Sequence, residues 1–233
     1  MLAVKNIFNP LIHLFYPHLC AGCGDDVIQP SNILCLHCID TLPHTQYEKM
    51  PGNPIEKIFW GRVNIYAAMS EFYFTKGNII QSLIHELKYR GNQEVGMLMG
   101  NMIGESLLRS LRFRNADTLI PLPLFAEREF KRGYNQSEIL CRGISEVTGY
   151  PVITGNLKRE RYTETQTKKK RNKRWENVEG SFAIKNKEEL ENKHILLVDD
   201  VITTGATIEA CASILLKVPG VTVSVATLAY ASL

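Results

Sequence analysis

At 233 residues, 45% apolar and 22% charged, the chain has the composition of an ordinary globular protein, long enough to bury a core without disulfide staples. No stretch approaches the ~18 uninterrupted apolar residues of a helical membrane span, which excludes a helical membrane protein. The net charge of +3 hides an asymmetry: between Lys158 and Arg174 stand nine Lys or Arg and two Glu, a local +7, while the remainder carries −4. Such a concentration implies an anionic partner there, or an exposed loop.

In chain order, Leu2 to Tyr16 places Leu2, Val4, Ile7, Phe8, Leu11, Ile12 and Phe15 at amphipathic-helix spacing. Asn6, Asn9, Pro10 and His13 interrupt the apolar run that a signal peptide needs, so the segment is expected to be a packing helix and the protein cytoplasmic. Residues 1–54 hold four of the six cysteines and few periodic apolar runs, which marks them as a small module organised by something other than a hydrophobic core. Residues 55–233 are expected to form the main domain.

Cys20-Ala21-Gly22-Cys23 and Cys35-Leu36-His37-Cys38 are two CxxC pairs with eleven residues between them. Two thiolates from one tight turn ligate one metal, and a second such knuckle completes the tetrahedral shell that Zn²⁺ prefers. Two disulfides are the alternative, disfavoured in a cytoplasmic chain. Cys20, Cys23, Cys35 and Cys38 leave no open coordination position, so the expected Zn²⁺ is structural. His37 lies between two ligands and is not itself assigned. Cys141 and Cys211 fall on helical patterns and read as packing residues.

Val63 to Phe74 is rich in β-branched and aromatic residues and predicts strands. Helical spacing follows over Asn78–Arg90 and Gln93–Arg112, broken at Gly91-Asn92. Thr118-Leu119-Ile120 is a short strand ending at Pro121-Leu122-Pro123, and Asn135 to Val147 a helix stopped by Gly149 and Pro151. After the basic segment come a strand at His194–Val198, a helix from about Thr207 to Lys217 and a strand at Val221–Leu228. Alternating strand and helix predict an α/β fold with a mostly parallel sheet and crossover helices.

The most informative stretch is Ile195-Leu196-Leu197-Val198-Asp199-Asp200-Val201-Ile202-Thr203-Thr204-Gly205-Ala206-Thr207. A buried strand delivers two carboxylates to the carboxyl edge of the sheet, where open α/β proteins bind ligands. Gly205 lets backbone N–H groups approach an oxyanion, and the helix start adds its positive dipole end. Thr203, Thr204 and Thr207 offer hydroxyls to the same phosphate, while Asp199 and Asp200 can accept from vicinal ribose hydroxyls. The GxxxxGK[ST] pattern is absent, which excludes an ordinary P-loop triphosphatase.

This stretch resembles the phosphoribosyl pyrophosphate (PRPP) binding motif of type I phosphoribosyltransferases. The chain as a whole resembles the ComF family of competence-associated proteins, in which a four-cysteine module precedes a phosphoribosyltransferase domain. The matching blocks are Phe15-Tyr16-Pro17 before Cys20, Leu87-Lys88-Tyr89-Arg90-Gly91, Pro121-Leu122-Pro123-Leu124 and Arg132-Gly133-Tyr134-Asn135-Gln136. Thr163-x-x-Gln166 and Arg174-x-x-Asn177 leading to Phe182 follow.

The resemblance implies a type I phosphoribosyltransferase fold behind a small zinc-ribbon-like module. It implies PRPP binding by Asp199, Asp200, Thr203, Thr204, Gly205, Ala206 and Thr207, with Mg²⁺ expected between the two Asp and the site, where it neutralises the diphosphate. Arg128, Lys131, Arg132 and Gly133 take the pyrophosphate position, with a solvated basic loop as the alternative, and Thr163, Gln166 and Arg174 the lid; Lys88, after a helix and before a Gly-Asn turn, is either a site residue or a surface cation. The resemblance further implies a role in DNA uptake for natural transformation. Purine-salvage relatives place an Asp base where this chain has Thr203, so hypoxanthine or guanine chemistry is not expected and the acceptor is not legible. The rival reading is a DNA-handling accessory protein. Its zinc module and basic loop would bind single-stranded DNA or a partner helicase, with the fold as scaffold or sensor.

Overall fold

A computed structural model describes residues 18–26, 32–159 and 182–232. Its centre is a four-stranded sheet of β1 (Ala68–Tyr73), β2 (Thr118–Pro121), β5 (His194–Ile202) and β6 (Thr222–Tyr230), ordered β1-β6-β5-β2 with every pairing parallel. β3 (Leu157–Arg159) and β4 (Phe182–Ile184) form a separate antiparallel pair. β5 and β6 read as near-continuous apolar runs because both faces of a parallel sheet are covered. Among the described residues no helix is long and apolar enough to cross a membrane.

Four helices follow the expected alternation, α3 (Ile79–Tyr89), α4 (Gln93–Leu108), α6 (Gln136–Thr148) and α7 (Ala206–Leu215), and α5 (Ala126–Arg132) is a fifth. Each of α3, α4 and α6 starts at an Asn whose side-chain oxygen accepts an N–H of the first turn, at Asn78, Asn92 and Asn135. α6 and α5 end at Gly149 and Gly133, both in the left-handed region at φ 74° and 81°. Two short helices precede β1, α1 (Leu36–Asp40) and α2 (Pro54–Phe59).

The predicted strand over 63–74 begins only at Ala68, although Tyr66 N–H already donates to Val223 O at 2.8 Å. The predicted helix to Arg112 stops at Leu108. Ser110 ends it, donating to Glu48 O at 2.5 Å and accepting from Arg112 N–H at 3.3 Å, which starts a 3₁₀ turn at Leu111–Phe113. α5 and the β3–β4 pair were not marked by periodicity, being too short to show one.

The segment before β1 packs against that strand. His44 pairs antiparallel with Phe72, and Thr45 N–H donates to Glu71 O at 3.0 Å. Asn53 caps α2 through Oδ1 and donates from Nδ2 to Ala68 O at 2.8 Å. The cysteine module rests on α3, where a Cβ on Gly22 would meet Ile79 Cδ1 at 2.7 Å.

α4 and α6 lie backbone to backbone. Gly96, Gly100 and Gly104 recur every four residues on the face of α4 that meets α6. A Cβ on Gly100 would meet Leu140 O at 2.4 Å, and one on Gly143 would meet Met97 O at 2.4 Å. Both obstacles are main-chain atoms, so relief requires moving a helix. Gly100→Val is expected to destabilise the fold by roughly 1–3 kcal/mol or more, through overpacking. Denaturant unfolding checks this, and an unchanged midpoint would refute the backbone contact.

Candidate functional site

The C-terminal ends of four parallel strands share one edge, and there β5 carries the adjacent carboxylates of Asp199 and Asp200. Neighbouring strand residues point to opposite faces, so the two find different partners. Asp199 Oδ1 accepts from Ser137 Oγ at 3.1 Å, in the first turn of α6, and from Asp200 N–H at 2.8 Å. Asp200 is 5% exposed, and its Oδ2 lies 2.7 Å from Lys88 Nζ in the last turn of α3. Burial and the Asp200 carboxylate push the Asp199 carboxyl up to about 7, against the opposing pull of Asp200 N–H, Lys88 and Ser137.

The loop from Thr203 to Thr207 follows directly. Thr203 and Thr204 are exposed, Gly205 is buried with φ 72°, and α7 opens at Ala206. α7 therefore presents the unsatisfied N–H groups of its first turn beside the two carboxylates. Arg62 braces the loop from outside. Its Nη1 donates to Ile58 O and to Thr204 O, both at 3.0 Å, and its Nη2 donates to Glu209 Oε2 in the first turn of α7. A Cβ on Gly205 would meet Ile58 Cγ2 at 2.6 Å and Phe59 Cε1 at 3.0 Å, so the glycine also serves packing.

The other sequence blocks converge on this edge through main-chain carbonyls. Tyr134 Oη donates to Leu87 O, tying the loop before α6 to the end of α3. Asn135 donates from Nδ2 to Leu122 O at 3.0 Å while capping Ser137 N–H at 3.0 Å. Arg132 donates to Gln136 Oε1 at 2.6 Å and stands 5.6 Å over the Tyr89 ring.

Of the residues singled out from sequence, Lys88 is brought onto Asp200. Lys131 and Arg128 lie on the exposed surface of α5, a helix that buries no residue, with Arg128 5.8 Å over the Phe125 ring. Gly133 is the left-handed cap of that helix. Thr163, Gln166 and Arg174 lie outside the described residues, as does most of the basic segment.

Three neighbours were not singled out. Ser137 and Arg62 are ordinary polar residues in sequence and become site residues only through tertiary contact. Arg159, from β3, stacks its guanidinium 3.5 Å from the Phe125 ring centroid and 5.1 Å from that of Phe182. Burial pushes its pKa down and Arg128 adds to this, while Cys211 and Asp199 pull the other way. A basic residue at the start of the positively charged segment was the available signal.

The four cysteines form a second centre. Their sulfurs lie within 4.8 Å of one another, Cys23 Sγ and Cys35 Sγ are 3.8 Å apart, and none is in a disulfide. Cys35 N–H points at Cys20 Sγ at 3.3 Å and Cys38 N–H at Cys35 Sγ at 3.4 Å, the pattern of a thiolate knuckle. Burial raises the Cys20 thiol, but backbone donors from Cys23, Cys35 and Gly22 outweigh it and bring the pKa to about 6. Gly22 leaves room for Cys38 Sγ, which a Cβ there would meet at 2.9 Å.

The family described as Phosphoribosyl transferase domain matches residues 142–232. The DNA utilization protein YhgH of Salmonella typhimurium is 30% identical over 61% of this chain and 63% of its own length, so the chain spans under two thirds of that relative. Competence protein F of Haemophilus influenzae is 26% identical over 88% of this chain and 87% of its own. The solved glutamine PRPP amidotransferase of B. subtilis, complexed with ADP and GMP, aligns with TM-score 0.40 and 20% identity over 60% of this chain and 30% of that one. A phosphoribosyl transferase domain match with a four-cysteine cluster ahead of it, in a chain similar to competence protein F over most of its length, is the arrangement that the resemblance to the ComF family implied.

Proposed function

We propose that the edge formed by Asp199, Asp200 and the loop from Thr203 to Thr207 binds PRPP, and that the protein uses this ligand in handling DNA during uptake. One observation carries the ligand assignment: two adjacent carboxylates, one paired with Lys88 at 2.7 Å, stand directly before a left-handed glycine that opens a helix. The N–H groups and hydroxyls of that helix start take the 5′-phosphate. Asp199 and Asp200 accept from the ribose hydroxyls. Lys88, released from Asp200, turns to the diphosphate, where Arg128, Lys131 and Arg132 reach it from α5. Asp199 and Asp200 are the acidic residues that would face a Mg²⁺ bound with PRPP, and the ion would offset the charge of the diphosphate. The names of the relatives, competence protein F and DNA utilization protein, support the role in DNA uptake.

The cysteine cluster is proposed to hold one structural Zn²⁺. With Zn–S near ~2.3 Å, a tetrahedral shell separates sulfurs by about 3.8 Å, and Cys23 and Cys35 already stand 3.8 Å apart. The ion would tie residues 20–23 to 35–38 and supply folding energy to a module with little core of its own.

Ligand binding is tested by titrating PRPP and ribose 5-phosphate into a set of variants. Asp199→Asn and Asp200→Asn are expected to weaken both ligands, and Thr207→Ala both by roughly ten- to a hundred-fold, the cost of one hydrogen bond to a charged group. Substitutions at Arg128, Lys131 or Arg132 should weaken PRPP alone, since only PRPP carries the diphosphate. Gly205 is a poor test position, because its Cβ meets Ile58 before any ligand. Well-folded Asp199 and Asp200 variants that bind like the wild type would place the ligand elsewhere.

The Asp199 carboxyl makes a separate prediction. Its folded pKa, near 7, lies above the ~3.9 of an unfolded Asp. The contribution to stability is therefore present below pH ~3.9 and lost as pH rises through about 7. Asp199→Asn removes this dependence, so the variant should gain on the wild type between pH 5 and 8. Parallel denaturation midpoints across that range would refute the raised pKa.

For the metal, elemental analysis of the purified protein should find one zinc per chain. Cys23→Ser should lose it and lower the melting temperature. A metal-free protein carrying two disulfides would overturn the assignment.

A further inference from the structure

β3 ends on Arg159, whose partner across the antiparallel pair is Phe182, and β4 packs on α7. Arg159 thereby stands on the Asp199 side of the site edge, near enough for Cys211 and Asp199 to act on its charge. Aromatic rings hold it. Its guanidinium carbon lies 3.5 Å from the centroid of Phe125, at the start of α5, and 5.1 Å from that of Phe182, which is buried. Nε is enclosed there, whereas the two Nη groups remain open to solvent, and among the described residues neither donates to a protein acceptor.

The Phe125 ring serves a second cation. Arg128, exposed on α5, stands 5.8 Å over it. Burial and, after it, the Arg128 charge push the Arg159 pKa down. Among the described residues neither arginine is ion-paired to a carboxylate. Two guanidiniums therefore meet at one ring with no acid paired to either, an arrangement that like-charge repulsion opposes.

The chemistry of the pair selects the anion. A guanidinium presents its N–H donors in a planar fork that matches phosphate or carboxylate oxygens, and stacking on the rings fixes the plane of that fork. A single carboxylate offsets the repulsion of two cations only in part, and Asp199 close by opposes it. A diphosphate carries several charges and more than one set of oxygens, enough for both arginines. On the PRPP reading the 5′-phosphate is taken by the loop from Thr203 to Thr207, so the diphosphate at C1′ is the group left for them.

We propose that Arg159 is a specificity-determining residue of this site, holding the diphosphate of PRPP together with Arg128 and so favouring PRPP over ribose 5-phosphate, which has a hydroxyl at C1′. The assignment rests on the PRPP reading above. Phe125 and Phe182 are positioning residues, since they set the plane of the guanidinium and leave its Nη groups to the ligand.

Calorimetric titration of the full chain with PRPP, ribose 5-phosphate, inorganic pyrophosphate and inorganic phosphate, each with magnesium, tests the proposal. Arg159→Gln should weaken PRPP and pyrophosphate by about tenfold or more and leave ribose 5-phosphate within about twofold. Arg159→Lys keeps the charge without the planar fork, should recover little of that loss, and carries the test if Arg159→Gln fails to fold. Arg128→Gln and Arg159→Gln combined should cost less than the two single losses added, because both act on one group. PRPP and pyrophosphate bound by folded Arg159 variants as by the wild type overturn the assignment, as does an equal loss of ribose 5-phosphate. Strict additivity with Arg128→Gln, or a wild type that binds pyrophosphate no better than phosphate, overturns it too. Should the wild type bind pyrophosphate but no ribose 5-phosphate, the sugar site is misplaced, and the pyrophosphate titrations still decide the role of Arg159.

Discussion

Two carboxylates side by side at the buried end of one strand repel each other and forfeit hydration, and the local structure is organised around meeting that cost. β5 turns Asp199 and Asp200 to opposite faces, so each draws a partner from a different element. Asp199 takes Ser137 Oγ and a main-chain N–H, and Asp200 takes Lys88. The arrangement holds only if the ends of α3 and α6 arrive together at the end of β5. Tyr134 on Leu87 O and Asn135 on Leu122 O secure that meeting, which explains why the blocks around Leu87, Leu122 and Tyr134 belong with the acidic pair. The carboxylates contribute little to stability, since burying charge seldom does, and their retention points to ligand chemistry.

Packing far from the edge sets the same geometry. The glycines of α4 let its backbone touch that of α6 near Gly143, about two turns along α6 from Ser137. A side chain at that contact would push α6 away from α4 and carry Ser137 with it. The acidic pair is thus sensitive to a helix contact built only of main chain.

The stretch from Ile195 to Thr207 was legible because its parts are contiguous: an apolar run, two acids, hydroxyls, a glycine and a helix start. The cysteine pairs were legible for the same reason. Arg62 was not, because its partners Thr204 and Glu209 lie 142 and 147 residues away in sequence. Ser137 and Arg159 acquire their roles equally through tertiary contact. Composition over 63–74 read as strand, yet only residues from Ala68 join the ladder, since pairing depends on a neighbour that composition does not describe. The glycines at 96, 100 and 104 were visible at helical spacing, but their meaning needed the partner helix.

The loop from Thr203 to Thr207, proposed to bind phosphate, is ordered by the fold itself. Gly205 adopts a left-handed conformation against Ile58 and Phe59, and Arg62 ties Thr204 O to Glu209 across the helix start. Ordering a loop on binding would draw on the affinity, whereas a loop ordered during folding leaves that energy to the ligand. α2 and Arg62 therefore act on the site although they belong to the segment ahead of the sheet. That segment is in turn held by Asn53 and Glu56, which bind Ala68 O and Ala68 N–H at 2.8 and 3.2 Å. The start of β1 thus anchors the brace of the loop at the end of β5. Loosening residues 53–62 should raise the dissociation constant for a phosphoribosyl ligand without touching any group that contacts it.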